Sequence, residues 1–137
     1  MIALPEGADG SLAFGWATVE LDRAARELSH LLAGGAEFGV AASSVILGAR
    51  CLVGPAADGP AVRIVLLEPD TEGRLAATLA RSGEGWAATW VLDPSAAVRP
   101  RRASVARPGP LGNERLLLGG PLAGPYRLLV EAVPSPP

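Results

Sequence analysis

A chain of 137 residues, 49% hydrophobic and 19% charged, with a formal net charge of −2, has the size and make-up of one soluble globular domain, predicted to span 1–137. Such a length buries about 68% of the unfolded surface, so a core forms without disulfides or a structural metal. The lone cysteine, Cys51, excludes an internal disulfide, and the lone histidine, His30, excludes the two- and three-histidine sites of most catalytic zinc centres. All twelve basic residues are arginines, and no aromatic residues interleave with a basic stripe, so nucleic acid is not an expected partner. No run reaches the length of a membrane span, and the first ten residues carry Glu6 and Asp9 where a signal would be basic. The expected location is therefore the reducing cytoplasm.

In chain order, Leu12 to Val19 reads as a short apolar strand. Leu21, Ala24, Ala25, Leu28, Leu31 and Leu32 then recur at three- and four-residue intervals, the mark of an amphipathic helix stopped by Gly34 and Gly35. Glu37 to Val53 is strand-like, with Gly48 as a bulge or turn, and Val62 to Leu67 is an apolar run suited to a buried strand. Thr71 is positioned to cap a short helix with Leu75, Thr78 and Leu79 inward, followed by a strand at Trp86 to Leu92. After that, 94–98 leaves room for about one turn, and further strands are predicted near 101–106, 115–118 and 126–133. The order is that of a duplicated βαβββ plan with the second helix truncated.

The run Ile64-Val65-Leu66-Leu67-Glu68-Pro69, the helical connector Leu75 to Arg81 and the turn Gly83-Glu84-Gly85 resemble the vicinal oxygen chelate superfamily, nearest its methylmalonyl-CoA epimerase branch. The helix Leu21 to Leu32 and the terminal strand Arg127 to Ala132 fit the same pattern. The resemblance implies an α+β fold in which paired βαβββ modules form a curved, partly open eight-strand barrel. Module one would cover about 12–68, the connector 69–85 and module two about 86–133. It also implies a divalent metal held by four strands, and here the chain departs from the family. The corresponding positions are Ala13 or Phe14, Val65, Ala87 or Ala88, and Glu131. One carboxylate cannot hold a hard divalent ion tightly, so the metal site is expected to be lost and no cofactor is expected.

Strand alternation then suggests what lines the cup. Val65 would share a face with Arg63 and Leu67, Ala88 with Trp86 and Trp90, and Glu131 with Arg127 and Leu129. The candidate ligand-binding set is Arg63, Val65, Trp86, Ala88, Trp90, Arg127 and Glu131, with Glu131 as the base if the protein is an enzyme. Against this, arginines at strand starts are ordinarily solvated, and tryptophans in a chain with few aromatics ordinarily belong to the core. Arg99, Arg101, Arg102 and Arg107 form the basic cluster, whose proximity to prolines suits an edge strand better than a phosphate site. His30 is expected at a helix C-terminus and Cys51 as an inert core thiol. The leading expectation is a metal-independent small-molecule-binding protein, a homodimer covering its sheet edges. The alternatives are a lyase or epimerase using Glu131, and a non-catalytic interaction protein.

Overall fold

The computed structural model describes residues 2–5, 11–57, 62–92, 103–117 and 125–130. Its eight strands form one mixed sheet, with β1 (Ser11–Ala17), β2 (Gly39–Ser44), β3 (Ala49–Pro55) and β4 (Arg63–Pro69) in the first half of the chain. The second half supplies β5 (Gly85–Leu92), β6 (Arg107–Gly109), β7 (Gly112–Leu116) and β8 (Tyr126–Val130). The spatial order is β2-β3-β4-β1-β5-β8-β7-β6. Each half repeats one plan: β1 lies parallel to β4, β5 lies parallel to β8, and the halves meet where β1 runs antiparallel to β5. The strands bearing Trp16 and Trp90 are therefore the equivalent first strands of two modules, side by side at the sheet centre.

The sheet curls into a nearly closed barrel, and what remains open is the seam between the outermost strands, β2 and β6. One backbone bond crosses near it, Val45 N–H to the Pro108 carbonyl at 3.1 Å, and no ladder forms. The sequence supplies the reason. In a strand, a residue's N–H and C=O point to the same side, so an exchange of both bonds would require the N–H that Pro108 lacks.

Buried side chains fall into two layers. The inner one fills the barrel with Ala13, Cys51, Val65, Leu67, Trp90, Leu116, Leu128 and Val130 among others. The outer one packs Ala24, Leu28 and Leu32 onto Ile64 and Leu66. Strand β4 alternates between the layers and is buried on both faces, which is why its sequence reads as a continuous apolar run.

Helix α1 spans Leu21–Glu27, shorter than its periodicity predicts, and continues as a 3-10 turn over Ser29–Leu31. Ser29 Oγ donates to the Arg26 carbonyl at 3.0 Å, and the Leu31 and Leu32 N–H groups bond the carbonyls three residues back, those of Leu28 and Ser29. Gly48, at φ 69°, is a turn between β2 and β3 and not a bulge within one strand. Helix α2 spans Arg74–Ser82 and starts from Gly73 with no side-chain cap, so Thr71 does not cap it. Inner-layer contacts from Leu75 and Leu79 hold it, with a hydrogen bond of 2.7 Å joining Thr78 and Tyr126. In the second half, Ala103 makes only an isolated bridge to Leu117, and the strand predicted near 101–106 appears as β6, starting at Arg107. The predicted turn at 94–98 lies outside the described residues.

Candidate functional site inside the barrel

Strand register brings the expected metal-ligand positions together. Gly15 on β1 pairs with Val65 on one side and with Ala88 on the other, and Ala13 pairs with Trp90. Ala13, Val65, Ala88 and Trp90 are all buried in the inner layer. The Trp90 indole lies across Gly15: a Cβ there would come within 2.7 Å of the ring and 2.9 Å of Leu67 Cδ1. The space over the ligand row is thus occupied by an aromatic ring, and glycine at 15 is what allows it.

Three members of the predicted lining set are placed differently. Trp86 does not share the face of Ala88 and Trp90, because a register shift between Gly15 and Trp16 makes Ala87 an extra residue on β5. The bulge turns Trp86 to the outer layer, edge-on to Trp16 with ring centroids 5.2 Å apart. Arg127 is exposed, with its neighbour Leu128 facing the interior. Arg63 is likewise exposed at the start of β4. Glu131, and with it the predicted arginine pairing, lies outside the described residues, as do Arg99, Arg101 and Arg102; Arg107 is exposed on β6.

Among the described residues, the carboxyl that occupies the interior is that of Glu114 on β7, which is fully buried. Trp90 Nε1–H donates to one carboxyl oxygen at 3.0 Å, and Ser44 Oγ donates to the other at 2.8 Å. Ser44 is oriented in turn by the Leu47 N–H, 3.2 Å from its hydroxyl oxygen. Glu114 packs so tightly on β6 that a Cβ on Gly109 would fall 1.9 Å from the carboxyl. Burial pushes this carboxyl above its ordinary range, against the lowering effect of the Trp90 and Ser44 hydrogen bonds. Nearby Cys51 is pushed up to about 12 by burial, with a smaller raising effect from Glu114 against a lowering backbone hydrogen bond at Ser44, so its thiol is an inert neutral group. Sequence reasoning missed Glu114 because it started this strand at Arg115. The signal was the two-residue spacing of Glu114 and Leu116, which puts both on the inner face.

The described residues at the metal-ligand positions do not fit a divalent metal. Ala13, Val65 and Ala88 offer no donor atom, and both Glu114 oxygens are engaged by Trp90 and Ser44. Among the described residues, no group of three or more His, Cys, Asp or Glu side chains could hold an ion.

The two motif carboxylates have other tasks. Glu68 accepts from the first N–H of α1, that of Leu21, at 3.3 Å and pairs with Arg50. Glu84, in the Gly-Glu-Gly turn, accepts from Thr18 Oγ1 at 2.7 Å and Val19 N–H at 2.8 Å, and pairs with Arg23. The Val19 N–H, more than the Thr18 and Arg23 contacts, holds the Glu84 carboxyl below its usual range. Both carboxylates fix the turn from β1 into α1. His30 Nε2 lies 2.7 Å from the Ile2 carbonyl, and Trp86 Nε1–H donates to the Ala3 carbonyl at 2.9 Å, so residues 2–5 cross the outer layer as a strap. An open groove of about 400 Å³ lies beside α1, between Arg26, Leu32 and Phe38.

No helix among the described residues is long and apolar enough to cross a membrane. No family model and no curated protein sequence matches the chain. Solved structures do. A methylmalonyl-CoA epimerase from Mycobacterium tuberculosis is 26% identical over 98% of this chain and 94% of that one, with a TM-score of 0.67. A Streptomyces coelicolor methylmalonyl-CoA epimerase variant in complex with 2-nitronate-propionyl-CoA is 24% identical over 90% and 96%, with a TM-score of 0.66. A methylmalonyl-CoA epimerase in complex with methylmalonyl-CoA and ammonium is 24% identical over 89% and 93%, also at 0.66.

Proposed function

Starting from a chain that belongs by fold to the vicinal oxygen chelate superfamily, with methylmalonyl-CoA epimerases as its structural neighbours, we propose that it is a metal-independent binding protein whose metal site has been lost. The observation that supports this is the packing of Ala13, Val65 and Ala88 beneath the Trp90 ring, where the family requires donor side chains and open space. The barrel retains one polar cluster, Glu114 with Ser44 and Trp90, next to a wall of aliphatic side chains. That combination suits a small, largely apolar molecule with one hydrogen-bonding group, received in place of the Trp90 packing.

The second reading is a proton-transferring epimerase or lyase with Glu131 as base, and what favours it is the named activity of the neighbours. One pair of measurements separates them. Metal analysis of the purified protein, with methylmalonyl-CoA incubated in deuterated water, should give no stoichiometric divalent ion and no deuterium at the carbon between the two carbonyls. About one zinc, nickel, cobalt or manganese per chain would overturn metal independence, and deuterium incorporation lost in Glu131→Gln would establish the second reading.

A further inference from the structure

The sheet has one boundary without a ladder, and the most deeply buried carboxyl of the described residues stands beside it. Glu114 belongs to the second module, on β7, yet its hydrogen bond reaches Ser44 at the end of β2 in the first. Besides the Val45 to Pro108 bond, it is the polar link given by the described residues across the seam, running from β2 past β6 to β7. We propose that the β2/β6 seam is a latch: the barrel opens along it without unfolding, the Ser44–Glu114 bond holds it shut, and loss of the Glu114 proton promotes opening.

The physical argument has three steps. Strands joined by ladders separate at the cost of several backbone bonds, whereas among the described residues the seam is crossed by one backbone bond to β6 and one side-chain bond to β7, so opening follows the seam. A carboxylate without a cation is strongly penalised in an apolar interior, and opening returns it to water, so ionisation favours the open form. The described groups around it do not cancel that penalty. On β3 the facing titratable group is Cys51, neutral because burial pushes it to about 12. On β6 the register partner is Arg107, which is exposed, and on β8 Arg127 is exposed beside the inward-facing Leu128. From β2 and β5 the contacts are the neutral Ser44 and Trp90. The latch occupies the same interior as the proposed binding role but does not depend on it.

Cys51, as the lone thiol and 3% exposed, is a built-in reporter of opening. The experiment measures its labelling by a disulfide reagent from pH 5 to 9, corrected for the thiolate fraction of an unstructured cysteine, with and without low urea. The corrected opening constant of the full chain should rise by up to tenfold per pH unit above the ordinary carboxylate range and level off once the closed-state carboxyl has titrated. Its urea dependence should be well below that of global unfolding. Glu114→Gln, whose amide oxygen still accepts from Trp90 while its N–H donates to Ser44 Oγ with the direction of that bond reversed, should remove the pH dependence, and Ser44→Ala should raise opening at every pH. A pH-independent wild-type constant, or a urea dependence equal to that of global unfolding, overturns the proposal even if no variant folds. So does a pH rise that survives in folded Glu114→Gln. Neither result bears on metal content or deuterium exchange, so the two proposals fail separately.

Discussion

Trp86 and Trp90 stand four residues apart on one strand, and plain alternation gives them the same face, yet they lie on opposite sides of the sheet. Trp90 is fully buried inside the barrel and bonded to a carboxyl; Trp86 is partly buried outside, edge-on to Trp16 and bonded to the strap. Between them sits Ala87, the extra residue of the bulge. The comparison teaches that the two aromatics serve separate layers: one closes the space where the family holds its metal, and the other joins the outer face to the start of the chain.

The most direct way to break this comparison is truncation. Trp90→Ala empties the barrel and strips a donor from Glu114, and should cost about 4 kcal/mol in urea unfolding, whereas Trp86→Ala, at a partly buried outer-layer site, should cost about 2 kcal/mol. Equal losses would show that the ring over Gly15 is no more central than the outer pair. A sharper probe of the inner layer alone is Gly109→Ala, whose methyl group collides with the Glu114 carboxyl. It should destabilise by about 2 kcal/mol and be largely rescued by the second substitution Glu114→Ser, a coupling that a double-mutant cycle measures.

The smallest effect concerns the two carboxylates, which respond to acid in opposite senses. Glu84 on the outer turn has its carboxyl lowered, so its contribution is present above the ordinary carboxylate value and is lost as pH falls through the lowered one. Glu114 inside is raised, so its burden on stability appears as pH climbs from the ordinary value through the raised one. Glu84→Gln should therefore cost about 1 kcal/mol at pH 7 and less as acid carries the pH down through the lowered carboxyl value, measured by denaturant midpoints. A loss that persists unchanged through that fall would mean that Glu84 acts through shape and not through charge.

Much of the fold was legible in the sequence, for identifiable reasons. Val62 to Leu67 announced a buried strand by its apolar run, and the repeat of modules emerged from the order of elements, while the central meeting of β1 and β5 is added by the structure. Within the site, Val65, Ala88 and Trp90 face inward as alternation predicted. Alternation failed at Trp86, because a bulge of one alanine carries no composition signal of its own. It missed Glu114 because the strand begins before the arginine taken as its start. The helix Leu21 to Leu32 was over-extended because apolar spacing continues through a 3-10 turn, in which Leu31 and Leu32 bond three residues back and not four.

The antiparallel meeting of β1 and β5 also governs how the chain assembles. The hairpins β2–β3, β3–β4, β6–β7 and β7–β8 join near neighbours in sequence, but Ala17 finds Gly85 across a long intervening stretch. Closing that distance is the slow, entropically costly event. During synthesis the first module emerges with β1 as a bare edge on which Ala13 and Phe14 await their partner strand. Until β5 arrives, that edge is a template for pairing with another nascent chain, so the second module acts as the cover that keeps the first from aggregating.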